Sequence, residues 1–247
     1  MDRLIYTAMT GAKHILDQQA TNSHNLANAT STGFRAQVDS FRAVPVVSEG
    51  LPTRTFVIDS TVGADFRAGP IQSTGRDLDV AVQGHGWLAV QREDGSEGFT
   101  RNGSLKISEN GVLQTATGKN IMGDGGLISI PPDVTITIAK DGTISSVNNG
   151  TLPGPSNILG RLKLVNPEEA SLERKADGLF GTRDNSTVTA DASVTIVSGA
   201  LEGSNVNVVD AMVNMISLAR QFETQMKLIQ SAENNANKAS QLFSLNA

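Results

Sequence analysis

The two ends of this chain carry heptad-like apolar spacing. Residues 1–29 and roughly 205–245 contain little Gly or Pro, and everything between them is rich in Gly, Thr, Ser and Val. A lone amphipathic helix is marginal in water and must bury its apolar stripe against something. The ends are therefore constrained to find partners, while the middle reads as strand and turn. The expected fold class is α+β: long terminal α-helices pairing as a coiled-coil-like domain around an inserted antiparallel β domain.

Counting by sevens from Met212 gives Met212, Ala219, Met226, Glu233 and Ser240; the companion series is Met215, Phe222, Ile229, Ala236 and Phe243. The second series is almost wholly apolar, as the a and d positions of a coiled-coil seam are. Ile216, Leu218 and Leu242 widen the stripe. Asn207 followed by Asp210 has the form of a helix start, a side-chain cap and then an acid in the first turn. A helix of about 40 residues spans about 60 Å, which suits a rod or bundle better than a small globular core. At the other end Ile5, Ala12, Gln19 and Leu26 fall seven apart, as do Ala8, Ile15, Asn22 and Ala29, with Met9 and Leu16 flanking. Gln19 and Asn22 on the seam cost stability but fix register. Gly11 costs about 1 kcal/mol relative to Ala. This helix is expected to need partners. The plainer alternative is an ordinary antiparallel helix pair packed on the β domain.

Ser31-Thr32-Gly33 is expected to end the first helix, with Gly33 able to take the left-handed conformation of a helix stop. Pro45, Pro52 and Pro70 then favour extended chain, with a short β piece over residues 54–58. Farther on, apolar residues recur with period two. Leu78, Val80 and Val82 alternate with Asp79 and Ala81; Val134, Ile136 and Ile138 alternate with threonines; Leu162 and Leu164 alternate with Arg161, Lys163 and Val165. The pairs Asp94-Gly95, Asn102-Gly103, Asn110-Gly111, Asp141-Gly142 and Asp177-Gly178 punctuate these runs and suit two-residue hairpins. The expectation is a hairpin-connected barrel or sandwich. The domains are expected to be discontinuous: 1–30 plus 205–247 helical, 31–75 an extended connector, and 76–204 β-rich.

Composition removes several classes of function. Aromatics make up 4% of the chain, against an aromatic-lined pocket or base-stacking surface. The net charge is −5 with no long basic patch, so nucleic acid is not an expected partner. The absence of Cys removes disulfides and thiolate metal sites. No run approaches the about 18 apolar residues of a membrane span. Asp2, Thr7, Thr10, Lys13 and His14 interrupt any signal-like apolar stretch, so no cleaved signal peptide is expected.

Candidate chemistry does not survive inspection. His14 and His24 lie ten apart on one helix and His85 sits in a β turn, whereas zinc needs three or four convergent ligands. Asp77 and Asp79 form an acid pair only formally; alternating Asp on an apolar strand reads as its solvent face. Gly123-Asp124-Gly125-Gly126 leads into the strand-like Leu127-Ile128-Ser129-Ile130, with no helix N-terminus to receive phosphate. Gly118-Lys119 lacks the earlier glycine of a P-loop, and Gly95-Ser96-Glu97-Gly98 is one residue short of a nucleophile elbow. No catalytic, cofactor or metal site and no small-molecule substrate is expected.

Three segments carry a family resemblance. Asn25-Leu26-Ala27-Asn28-Ala29-Thr30-Ser31-Thr32-Gly33-Phe34-Arg35 resembles the N-terminal signature of the axial proteins of the bacterial flagellum, the rod, hook and hook-associated family, with Thr32 where proline is usual. Leu201-Glu202-Gly203-Ser204-Asn205-Val206 and the helix after it, with Arg220 and Phe222-Glu223, resemble the C-terminal module. Leu78-Asp79-Val80-Ala81-Val82 through Gly86-Trp87, then Gly98-Phe99-Thr100-Arg101-Asn102-Gly103, resemble the β domain of the hook and the longer rod proteins. The opening residues 1–9, Phe34-Arg35-Ala36-Gln37, Val44-Pro45-Val46 and Leu51-Pro52-Thr53-Arg54-Thr55 are most similar to the proximal rod member, with the distal rod member the alternative.

The resemblance implies a structural subunit, exported through the flagellar type III apparatus and polymerised in the periplasm into a hollow rod that transmits torque. The implied partners are copies of itself, other rod proteins and the export apparatus. The expected interface is Ile5, Ala12, Ile15, Leu26, Asn28, Met212, Phe222, Met226 and Ile229, with Gly33 and Phe34 anchoring the turn after the first helix. The competing readings are a periplasmic hydrolase acting through Asp77 and Asp79, and a monomeric binding module.

Overall fold

The computed structural model describes residues 2–45, 55–148 and 156–244. The segment Leu51-Pro52-Thr53-Arg54, Val46, and the side chains of Ser240, Leu242 and Phe243 lie outside the described residues. The fold is α+β, with two long helices, α1 (Asp2–Ala27) and α2 (Val208–Ser244), and many short antiparallel strands. It divides into two compact units. One comprises Met1–Ala29, Gln37–Gly63 and Val206–Ala247; the other comprises Thr30–Ala36 and Ala64–Asn205.

In the helical unit, α2 begins where a cap is available: the Asn207 side-chain oxygen accepts from the Val209 amide at 3.0 Å and from Asp210 at 3.4 Å. At 1.5 Å per residue its 37 residues extend about 55 Å. The covered stripe of α2 is Ala211, Met215, Leu218, Phe222, Gln225, Ile229 and Ala232, an alternation of four- and three-residue steps. On α1 it is Ile5, Ala8, Ala12, Ile15, Gln19, Asn22 and Leu26. Gly11 faces α2, where a Cβ would stand in ordinary contact, 3.4 Å from the Gln225 side chain. Strands Gln37–Pro45 and Thr55–Ala64 pair with each other beside the helices.

In the β unit the largest sheet has five strands, in the order Leu164–Val165, Trp87–Gln91, Glu97–Thr100, Phe180–Thr182 and Leu172–Arg174. A three-stranded sheet and several two-stranded ribbons complete it, so the strands do not form one continuous sheet. Strand Trp87–Gln91 divides two cores. Leu88 and Val90 enter a large aliphatic cluster with Leu105, Leu113, Ile121 and Ile196. Trp87 and Ala89 enter a smaller one with Phe99, Val165, Leu172 and Phe180. A strand buried on both faces by alternate residues is a central strand.

Two sequence expectations fail here for the same reason. Asp79 is not on a solvent face. It is buried, accepting from the Thr74 hydroxyl at 2.8 Å and facing Arg76 at 3.4 Å, and Val80, Ala81 and Val82 are buried in succession. Strand Val80–Gln83 pairs with Thr195–Ser198 and donates the Val80 amide to the Gly103 carbonyl, which occupies its edges, while the burial of consecutive residues Val80, Ala81 and Val82 means that both of its faces are covered. Val165, read as the polar-side alternate to Leu164, is likewise fully buried. Asn102-Gly103 does not turn a hairpin either: the strands flanking it do not pair, and a Cβ at Gly103 would meet the Val80 carbonyl oxygen at 1.6 Å. The other four Gly pairs do turn hairpins, each with its glycine at positive φ.

Candidate functional site

In the helical unit, Ala12 and Ile15 are buried, and Ile5, Leu26, Phe222 and Ile229 are half-buried along the covered stripes. Met212 and Met226 fall outside the covered stripe of α2, 51% and 41% exposed. Tyr6, Met9 and Leu16 on α1, and Val209, Val213 and Ile216 on α2, are exposed as well. Each helix thus presents a second apolar edge after the first is covered. An open groove of about 450 Å³ runs along this region, lined by Ile15, Val213, Ile216 and Arg220 among others.

Polar contacts fix the register. Asn22, polar on the seam, donates its amide to the Ala211 carbonyl at 2.7 Å. Asn25, the first residue of the Asn-Leu-Ala-Asn signature, exchanges two hydrogen bonds with the backbone of Gln37, at 2.9 and 2.8 Å. Asn28 donates to the His24 carbonyl at 2.9 Å. His14 meets the Phe41 ring edge-on at 5.5 Å.

Gly33 and Phe34 belong to the β unit, where they lie beside a buried charged cluster that sequence reasoning did not identify. Glu202 is its centre. Its Oε1 accepts from the Gly69 amide at 2.9 Å and stands 2.7 Å from an Arg35 Nη; its Oε2 accepts from Arg101 at 3.0 Å. Arg101 also donates to the carbonyls of Val82 and Gly84, at 3.2 and 2.6 Å. The Arg35 guanidinium is off the direction of a good hydrogen bond, so that pair is held by charge and not by aligned donors. Both guanidiniums lie over Trp87, at 5.4 Å for Arg101 and 6.0 Å for Arg35. Arg174 donates to the Arg35 carbonyl at 2.6 Å and covers the Phe34 and Phe180 rings.

Burial pushes the Arg101 guanidinium below its ordinary value, opposed by the charge of Glu202. Arg174 is lowered by burial alone. An arginine so shifted still stays protonated in neutral water. Gly33 takes φ +67°, its amide donates to the Glu202 carbonyl at 2.7 Å, and a Cβ there would meet the Arg101 backbone at 2.3 Å. Asn205 closes the cluster. It accepts from the Ala36 amide at 2.7 Å and donates to the carbonyls of Asp65 and Arg67 at 2.8 and 3.0 Å.

Arg35, Arg101 and Glu202 come one from each of the three segments that carried the family resemblance. Each segment offers a charged residue in sequence, but nothing in one segment names its partner in another. Among the described residues no three His, Cys, Asp or Glu side chains converge as a metal site, and no helix is long and apolar enough to cross a membrane. His85 faces Glu169 at 3.4 Å on the surface, and Asp77 is exposed while Asp79 is buried.

Comparison with known proteins converges on one family. Residues 81–146 match the flagellar hook protein FlgE/F/G D1 domain, and residues 197–242 match the flagellar basal body rod FlgEFG protein C-terminal family. The flagellar basal-body rod protein FlgF of Escherichia coli K12 is 49% identical over 99% of this chain and 100% of its own length. FlgF of Salmonella typhimurium LT2 is 48% identical over the same shares. The flagellar basal-body rod protein FlgG of Buchnera aphidicola from Acyrthosiphon pisum is 32% identical over 92% of this chain and 96% of its own.

Proposed function

The chain belongs to the FlgF family of flagellar basal-body rod proteins, and from that premise we propose that its terminal helices join it to neighbouring subunits of the proximal rod. It is a structural subunit of the flagellar rod. Helices α1 and α2 pair as a coiled-coil-like domain, and the β-rich chain between them is inserted. Subunits leave the cytoplasm through the export apparatus without a cleaved signal and assemble in the periplasm into a hollow shaft that transmits torque. The partners are copies of the chain and other rod proteins, and the role is mechanical, not enzymatic.

The observation that carries this reading is the second apolar edge. Met212, Ile216 and Met9 stay exposed although the helices have already covered one stripe each. Apolar side chains gathered on a helix edge mark an interaction surface. Neighbouring subunits would cover that edge, while Ile5, Ala12, Ile15, Leu26, Asn28, Phe222 and Ile229 keep the pair in register. Gly33 and Phe34 hold the turn after α1.

The test is charge placed on the edge. Met212→Asp and Ile216→Asp should leave the monomer's circular dichroism unchanged. They should abolish motility and remove the protein from purified basal bodies. Normal swimming with normal incorporation would overturn the proposal.

A further inference from the structure

The β unit is made of two chain segments, Thr30–Ala36 and Ala64–Asn205. Three of their four ends meet in one knot. The Ala36 amide donates to the Asn205 side chain, Asp65 donates to the Ala36 carbonyl at 2.8 Å, and Asn205 donates to the Asp65 carbonyl. One turn inward, Glu202 binds Gly33 through its backbone, Gly69 and Arg35 through Oε1, and Arg101 through Oε2. The Gly203 amide donates to the Pro70 carbonyl at 2.8 Å.

We propose that this knot is a two-state latch: residues 31–36 and 202–205 order and open together, so the chain beyond either segment senses the state of the other. The reason is charge. If residues 31–36 opened alone, Glu202 would lose Arg35 and the Gly33 amide. If residues 202–205 opened alone, the buried Arg35 and Arg101 would face each other with no carboxylate between them. A buried charge stripped of its partner is strongly disfavoured, so half-open states are suppressed relative to fully closed and fully open ones. Two segments biased by one shared element are reciprocally coupled, and a change that loosens one loosens the other by the same factor. The latch does not depend on how subunits assemble and is testable on the free chain.

Amide hydrogen exchange on the full-length protein reads the latch directly. Asn205→Ala removes only the bonds to Ala36, Asp65 and Arg67. The Gly33 and Gly69 amides, which are held by Glu202, should nevertheless exchange about tenfold faster, because they open with the same local unit. The Ala89 amide, bonded to Lys163 at 3.0 Å within the core, should keep its protection. Arg35→Met, altered on the other segment, should speed exchange at Gly203 and Asn205. Faster exchange confined to Ala36 in the first variant, or to residues 33–36 in the second, would overturn the latch. So would loss of protection throughout the chain including Ala89, because the latch is a local element.

Discussion

Glu202 and Arg35 approach to 2.7 Å with side-chain exposures of 1% and 0%, and a second arginine, Arg101, reaches the same carboxylate from the opposite oxygen. The pair joins the segment that follows α1 to the segment that precedes α2. Removing the carboxylate leaves two buried guanidiniums uncompensated. Glu202→Ala should therefore destabilise the β unit by about 3–5 kcal/mol, as broken buried ion pairs do. Urea unfolding followed by Trp87 fluorescence checks this, since the only Trp of the chain lies under both arginines.

Gly33 and Gly75 share a left-handed backbone, φ +67° and +71°, but not an environment. A Cβ on Gly33 would collide with the Arg101 backbone, whereas one on Gly75 meets nothing within 4 Å. Gly75→Ala should cost about 1 kcal/mol, the strain of the conformation alone. Gly33→Ala should cost more than about 2 kcal/mol, because the strain is joined by a clash that only backbone movement relieves. Thermal melts of the two variants side by side separate the contributions, and equal losses would contradict the packing described at Gly33.

Asn207→Ala should remove the cap of α2 and cost about 1 kcal/mol, confined to the first turn of the helix. Faster amide exchange at Val209 and Asp210, with the β unit unchanged, is the expected signature.

Asp65 is held below the usual carboxylate range, first by its side-chain hydrogen bond from Arg67 and then by the Arg67 backbone amide and nearby positive charge. A carboxyl depressed in the folded state contributes stability that is present above its unfolded pKa of about 3.9 and lost as pH falls through the folded value. Because Arg67 is largely solvated, the contribution is small. Stability should decline as pH drops below about 4, and Asp65→Asn should flatten that part of the curve. A wild-type curve and a variant curve that stay parallel there would contradict the assignment.

Much of the architecture was readable from spacing. The seven-residue recurrence of Ile5, Ala12, Gln19 and Leu26, with Ala8, Ile15 and Asn22, coincides with the covered stripe of α1, because helical periodicity is a local geometric property. The alternation at Val134, Ile136 and Ile138 coincides with a strand whose threonines face solvent. Alternation misled at Asp79 and Val165, where a second layer covers the other face of the strand, so that Asp79 has to be paired instead of solvated.

The charged cluster was not readable at all. Arg35, Arg101 and Glu202 each lie in a segment whose local pattern predicts turn or strand, and each is the type of residue ordinarily left on a surface. Periodicity is carried by neighbours a few residues apart, so the helices, the strands and most of the turns follow from order along the chain. Which carboxylate neutralises which guanidinium depends on where distant segments cross. Only packing around Trp87, with water excluded, makes those three charges obligatory partners.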